Sequence, residues 1–150
     1  MKNNKLDKTS MVVFIFLTVW GAIQILRFIA IPLIIDILNK KENESWMFPA
    51  ILDTIVALGS FFFLYVLWLK RNFATWLYSF LYLFISIVDH IDGAVAGALS
   101  TTPQLFGGPQ RDHFGLILSL LIPAVIDVVA LFLLNWKKIR EKFFEISALV

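Results

Sequence analysis

Four apolar stretches, at residues 11–35, 48–69, 73–96 and 114–136, fill most of this chain, and the polar segments that separate them are short. Each reaches the roughly 20 residues that a helix needs to cross a hydrocarbon core of about 30 Å. Strands of a membrane barrel alternate in polarity over about ten residues, and these runs do not, so helices are what remains. The expected fold is therefore all-α, an integral membrane four-helix bundle formed by a single four-span domain over residues 1–150. Composition points the same way, because 59% of the residues are hydrophobic and only 16% charged. A soluble domain of this length would be about 45–50% apolar.

Orientation follows from where Lys and Arg fall. Lys2, Lys5, Lys8, Lys70, Arg71, Lys137, Lys138, Arg140 and Lys142 lie on one side of the bundle, against Lys40, Lys41 and Arg111 on the other. The excess of positive charge places both termini in the cytoplasm. Trp68, Trp76 and Trp136 suit an aromatic belt on that side, and Trp46 with Phe48 suits the outer one. The first apolar run is long and has no small-x-small cleavage pattern, so it reads as an uncleaved helix, not a signal peptide. Lys70-Arg71-Asn72 is short enough to join the second and third helices as an antiparallel hairpin, while residues 97–113 form a longer loop rich in Gly, Pro, Ser and Thr. The chain reads as a multi-pass protein of the plasma or inner membrane, or of an organelle membrane. A net charge of +2 with scattered positive groups argues against a nucleic-acid partner, and zero cysteines exclude disulfides, thiolate metal sites and cysteine nucleophiles.

All four stretches carry polar or ionisable residues, and hydrocarbon resists charge, so these groups mark where to look. At a rise of about 1.5 Å per residue, Arg27 lies roughly 25 Å from the inner boundary. Asp53 falls one or two turns below the outer surface, Asp89 in the outer third, and Asp36, Asp92, Asp112 and His113 at or just above the outer interface. Asp127 falls near the middle of the fourth helix among apolar neighbours, where a carboxylate must be paired, hydrated or protonated. Helical spacing gathers the groups into stripes: Trp20, Gln24 and Arg27; Asp53, Ala57 and Ser60; Ser79, Tyr82, Ser86, Asp89 and Gly93; Ser119, Pro123 and Asp127. Together the four stripes outline a polar cavity open to the outer side. Arg27, Asp53, Asp89, Asp92, His113 and Asp127 are the candidate ligand-binding residues; no catalytic residue can be named. Arg27 needs a counter-charge at its own depth, which Asp53 or Asp89 supplies, and Asp127 could pair with Arg27 or Gln24, donate as an acid, or meet the cationic part of a ligand. Pro123, one turn before Asp127, is placed to kink the fourth helix.

Competing chemistries are weaker. Asp89 and Asp92 are three apart on one face, so that Asp53, Asp89, Asp92 and His113 form the one conceivable metal set. His90, however, points about 100° away from Asp89 on a continuous helix, and no HxxxH or HExxH spacing occurs. Neither a metal nor a cofactor is expected. Asp112 suits the start of the fourth helix better than an acid–base pair with His113, although His113 titrates near neutral pH. Gly93 to Gly97 is a GxxxG pattern that suits a close helix contact, either inside the bundle or between subunits. Asn43-Glu44-Ser45 is formally a glycosylation sequon and reads as chance, and the basic C-terminal stretch reads as an ordinary positive flank. No Walker loop, GxSxG elbow or dinucleotide fingerprint is present. Four spans with inward acids resemble in plan the sterol-isomerase-like and ligand-binding EXPERA-type bundles; no residue set is matched to that family, and no activity follows. The expected function is binding or transport of a small cationic or amphipathic ligand through an outward-facing acidic pocket. The alternatives are an accessory subunit of a membrane complex and, ranked last, a membrane-embedded enzyme on a lipid-like substrate. The implied partners are the bilayer, a small ligand, and a second copy or partner membrane subunit.

Overall fold

The computed structural model describes residues 7–40, 46–69, 72–99, 112–142 and 144. The first span is built of α1 (Lys8–Gln24), a 3₁₀ segment (Ile25–Ile29) and α2 (Ala30–Lys40). It is followed by α3 (Met47–Leu69), α4 (Phe73–Leu99), α5 (His113–Asn135) and the short α6 (Lys137–Lys142). Four stretches are long and apolar enough to cross a membrane, Lys8–Asn39, Met47–Leu69, Phe73–Leu99 and Phe114–Asn135. The chain is thus an all-α four-helix bundle with the composition of a multi-pass membrane protein. Lys70 and Arg71 of the expected hairpin, most of the expected 97–113 loop including Arg111, the sequon, and Lys2, Lys5 and Lys41 lie outside the described residues.

Helix starts follow local capping chemistry, because the first backbone N–H groups of a helix have no partner within it. Asp7 accepts from the Ser10 N–H at 2.8 Å ahead of α1, Asn72 from the Thr75 N–H at 3.0 Å ahead of α4, and Asp112 from the Gly115 N–H at 3.1 Å ahead of α5. Asp112 is therefore a helix cap. At the far end of α5, the Trp136 N–H donates to the Leu133 carbonyl at 3.2 Å, and the chain turns into α6.

The first span departs from the uninterrupted helix expected over 11–35. The 3₁₀ segment at Ile25–Ile29 sits just ahead of Pro32. Proline has no N–H to offer the Phe28 carbonyl and its ring crowds that oxygen, which works against regular α geometry in the turn before it, although Pro123 is accommodated within a continuous α5. Arg27 is carried on this tightened turn.

The helices pack in chain order and antiparallel: the first span against α3, α3 against α4, and α4 against α5. Gly21 permits the close approach of the first span to α3, since a Cβ there would stand 2.8 Å from the Phe63 ring. The Gly93–Gly97 pattern works inside the bundle, where α4 meets α5: a Cβ on Gly97 would stand 3.0 Å from Leu116, and one on Gly93 3.6 Å from Leu120. Two apolar cores result. The larger includes Phe14, Leu17, Phe63, Leu67, Leu83, Ala130, Leu134 and Ile139, and the smaller, toward the other end, includes Ile37, Trp46, Ala96 and Leu116. Trp46 therefore does not stand in an exposed outer belt with Phe48. It is turned inward, where a Cβ on Gly97 would stand 3.6 Å from its ring, while Phe48 remains exposed.

Candidate functional site

Between the two apolar cores lies a polar layer to which all four spans contribute, centred on Arg27. The guanidinium has five N–H groups and no means of accepting, so five acceptors are needed to bury it without loss. The structure supplies them. Nε donates to Gln24 Oε1; Nη1 donates to Asp53 Oδ1 at 3.0 Å and to Asp89 Oδ2; Nη2 donates to Ser86 Oγ at 3.0 Å and to His90 Nε2 at 2.7 Å. Arginine cannot accept, and although Nη2 also stands 3.0 Å from Nδ1, the shorter contact at Nε2 and the acceptors facing Nδ1 place the ring hydrogen of His90 on Nδ1. That nitrogen meets the Ser86 carbonyl at 2.8 Å and Asp127 Oδ2 at 3.1 Å, both acceptors.

Asp127 is the second centre and is fully buried. The Trp20 indole N–H donates to its Oδ1 at 2.5 Å, and the Ser86 hydroxyl donates to its Oδ2 at 2.7 Å. Ser86 thereby relays between Arg27 and Asp127, accepting from one and donating to the other. Neither of the partners expected for Asp127, Arg27 or Gln24, bonds to it directly, because Trp20, Ser86 and His90 take its oxygens. Three carboxyl groups, those of Asp53, Asp89 and Asp127, stand around one guanidinium, with His90 between them.

Beside the layer lies a cleft of about 260 Å³, lined mainly by the first span and α5 with one residue each from α3 and α4. Its rim is apolar, formed by Ile23, Leu26 and Ile29 on the first span and by Leu120 and Pro123 on α5. Its inner wall is polar, formed by Gln24, Arg27, Asp53 and His90, with Trp20 at one end. A second cavity of about 20 Å³ lies against Asp53, Asp89, His90, Trp46 and Gly93. That is room for a single water-sized group.

Of the six residues proposed from sequence, Arg27, Asp53, Asp89 and Asp127 come together. Asp92 does not join them. It is half-buried one turn beyond Asp89, and its Oδ2 has no hydrogen-bond partner among the described residues. His113 opens α5, and its side chain lies outside what is described. Among the described residues no group of three or more His, Cys, Asp or Glu is placed to hold a metal ion. His90, set aside in the sequence because it points away from Asp89, is in the cluster. The 100° between the two residues is real, but the guanidinium is wide enough to take Asp89 on one nitrogen and His90 on another. The signal that could have found it is the spacing Ser86 to His90, one helical turn, on a helix flanked by α3 on one side and α5 on the other.

Comparison with family models, with curated proteins and with solved structures gives no match to this chain, so the likeness in plan to EXPERA-type bundles carries no family assignment.

Proposed function

We propose that this protein binds a small amphipathic ligand with a cationic head, which enters from the bilayer through the cleft between the first span and α5. The observation that carries this reading is the cleft itself, apolar at its rim and ending on Asp53 beside Arg27 and His90. Asp89 and Asp127 are spoken for, the first by Arg27 and the second by three donors. Asp53 takes one bond, from Arg27, and is the most exposed of the three acids, with 19% of its side chain accessible. A cationic head at Asp53 would pair with its carboxylate, and an apolar tail would lie along Leu26, Ile29 and Leu120, continuous with lipid. With both termini cytoplasmic, as the basic flanks favour, the cleft opens in the outer half of the membrane. Transport is the natural extension of such a site, and so small a bundle would serve it as an oligomer. The accessory-subunit reading gains less support, because the charges of the polar layer find their partners within this one chain.

The test is thermal stability of the protein in lipid nanodiscs with dodecylamine, dodecanol or dodecanoate at equal concentration. A ligand that binds only the folded state raises stability by mass action. Dodecylamine should raise Tm, dodecanol and dodecanoate should not, and Asp53→Asn should remove most of the rise. Equal effects of amine and alcohol, or no effect of the amine, would defeat the proposal.

A further inference from the structure

Gln24 is almost wholly buried, at 3% exposure, and lines the cleft. Its amide oxygen is held by the Arg27 Nε–H, which fixes the orientation of the amide, since the reverse placement would set two donors against each other. The amide nitrogen is then committed as a donor, and it has no acceptor among the described residues. A buried N–H₂ with nothing to donate to loses its hydration without compensation, and native structures rarely leave such a group in place. Around it, every other polar wall group of the cleft is engaged by Arg27. The inner wall therefore holds two unspent capacities: the open acceptor capacity of Asp53 and the N–H₂ of Gln24. Both residues bond to the same guanidinium, Gln24 at Nε and Asp53 at Nη1, and that is the span one small head group would have to bridge.

We infer that the ligand head carries, besides its cationic nitrogen, an oxygen acceptor a short distance away, and that Gln24 selects for it by donating a hydrogen bond. The ligand class is an amphiphile with an amino-alcohol, amino-ether or amino-carbonyl head. This rests on the proposed function, in which Asp53 receives the cation, and adds the specificity of the same site. Arg27 positions Gln24 and is itself saturated, so the donor that reads the oxygen is the amide and not the guanidinium.

A matched pair of probes isolates the inference: N-(2-methoxyethyl)dodecylamine and N-butyldodecylamine, which differ by an ether oxygen in place of a methylene. The ether accepts and cannot donate, so it reports on Gln24 as a donor alone. Binding to the protein in nanodiscs should favour the ether amine by about three- to tenfold, the usual worth of one net hydrogen bond. In Gln24→Glu, which keeps an oxygen for the Arg27 Nε–H and removes the donor, the preference should fall to one or reverse. Gln24→Met removes the amide without adding charge and should likewise abolish it, with circular dichroism and Tm as folding controls. Equal binding of the two amines by the wild type, or a preference that survives both substitutions, overturns the inference and leaves the proposed function standing. Binding of neither amine defeats both.

Discussion

Arg27 holds the polar layer together, and its value lies in geometry as much as charge. Each of its five N–H groups has an acceptor, drawn from its own span, from α3 and from α4. Arg27→Ala would leave Asp53 and Asp89 without their cation, and breaking a buried pair in this way costs about 3–5 kcal/mol. Chemical denaturation in detergent should show that loss, and Arg27→Ala with Asp89→Asn should recover part of it by removing the stranded charge. Arg27→Lys should recover little, because a lysine has three donors on a single nitrogen and cannot reproduce a planar fork. The sequence showed that an arginine this deep must be paired, and offered Asp53 or Asp89 as its partner. It did not show that a histidine and a serine would share the same guanidinium, because that depends on how α4 is rotated between its neighbours. The spacing of Ser86 and His90 puts both on one face of α4 but does not say which neighbour that face meets.

Among the elements, the contact of the first span with α3 and that of α4 with α5 rest on glycines of unequal importance. Gly21→Ala should destabilise by about 1–3 kcal/mol, as overpacking does, because the added methyl meets the Phe63 ring at 2.8 Å. Gly93→Ala, where the nearest atom is a flexible Leu120 methyl at 3.6 Å, should change stability by less than about 1 kcal/mol, since alanine is also the better helix former. Thermal denaturation of the two variants side by side checks the contrast, and equal losses would show that the GxxxG pattern is as tight as the Gly21 contact. The boundaries of the spans were legible to within a few residues, because length and apolarity set them. The 3₁₀ turn was not read, although its cause, Pro32, stands in the sequence. A proline inside a membrane span can bend it, tighten it or be absorbed, and the neighbours that decide among these belong to other helices.

Across the whole molecule, chain start meets chain end. Lys138 bonds to Asp7 at 2.6 Å and donates to the Thr9 hydroxyl at 3.2 Å, tying the cap of α1 to α6. This hydrogen bond from Lys138, with those from Ser10, holds the Asp7 carboxyl well below the usual carboxylate range. A carboxyl depressed in the folded state stabilises fully above its ordinary value, and that contribution fades as pH falls toward the folded one. Asp7→Asn should therefore lower Tm at neutral pH, and the gap to the wild type should narrow below about pH 4. Because the pair is partly open to solvent, the gap should also shrink in high salt, and a Tm series over pH and ionic strength measures both. A gap that stays constant with pH would place the value of Asp7 in capping shape alone. The four-span plan was fully legible from the sequence, since the bilayer leaves a hydrophobic chain so few solutions. The cleft was not, because residues of all four spans line it and their meeting is a matter of tertiary packing.

The Trp20–Asp127 hydrogen bond joins the first span to α5 at the edge of that cleft, and Trp20 belongs to the same apolar core as Phe14, Leu17, Leu134 and Ile139. If the cleft takes a ligand as proposed, going further would mean breaking that one bond: a latch of one indole on one carboxylate would then stand between holding a molecule and passing it.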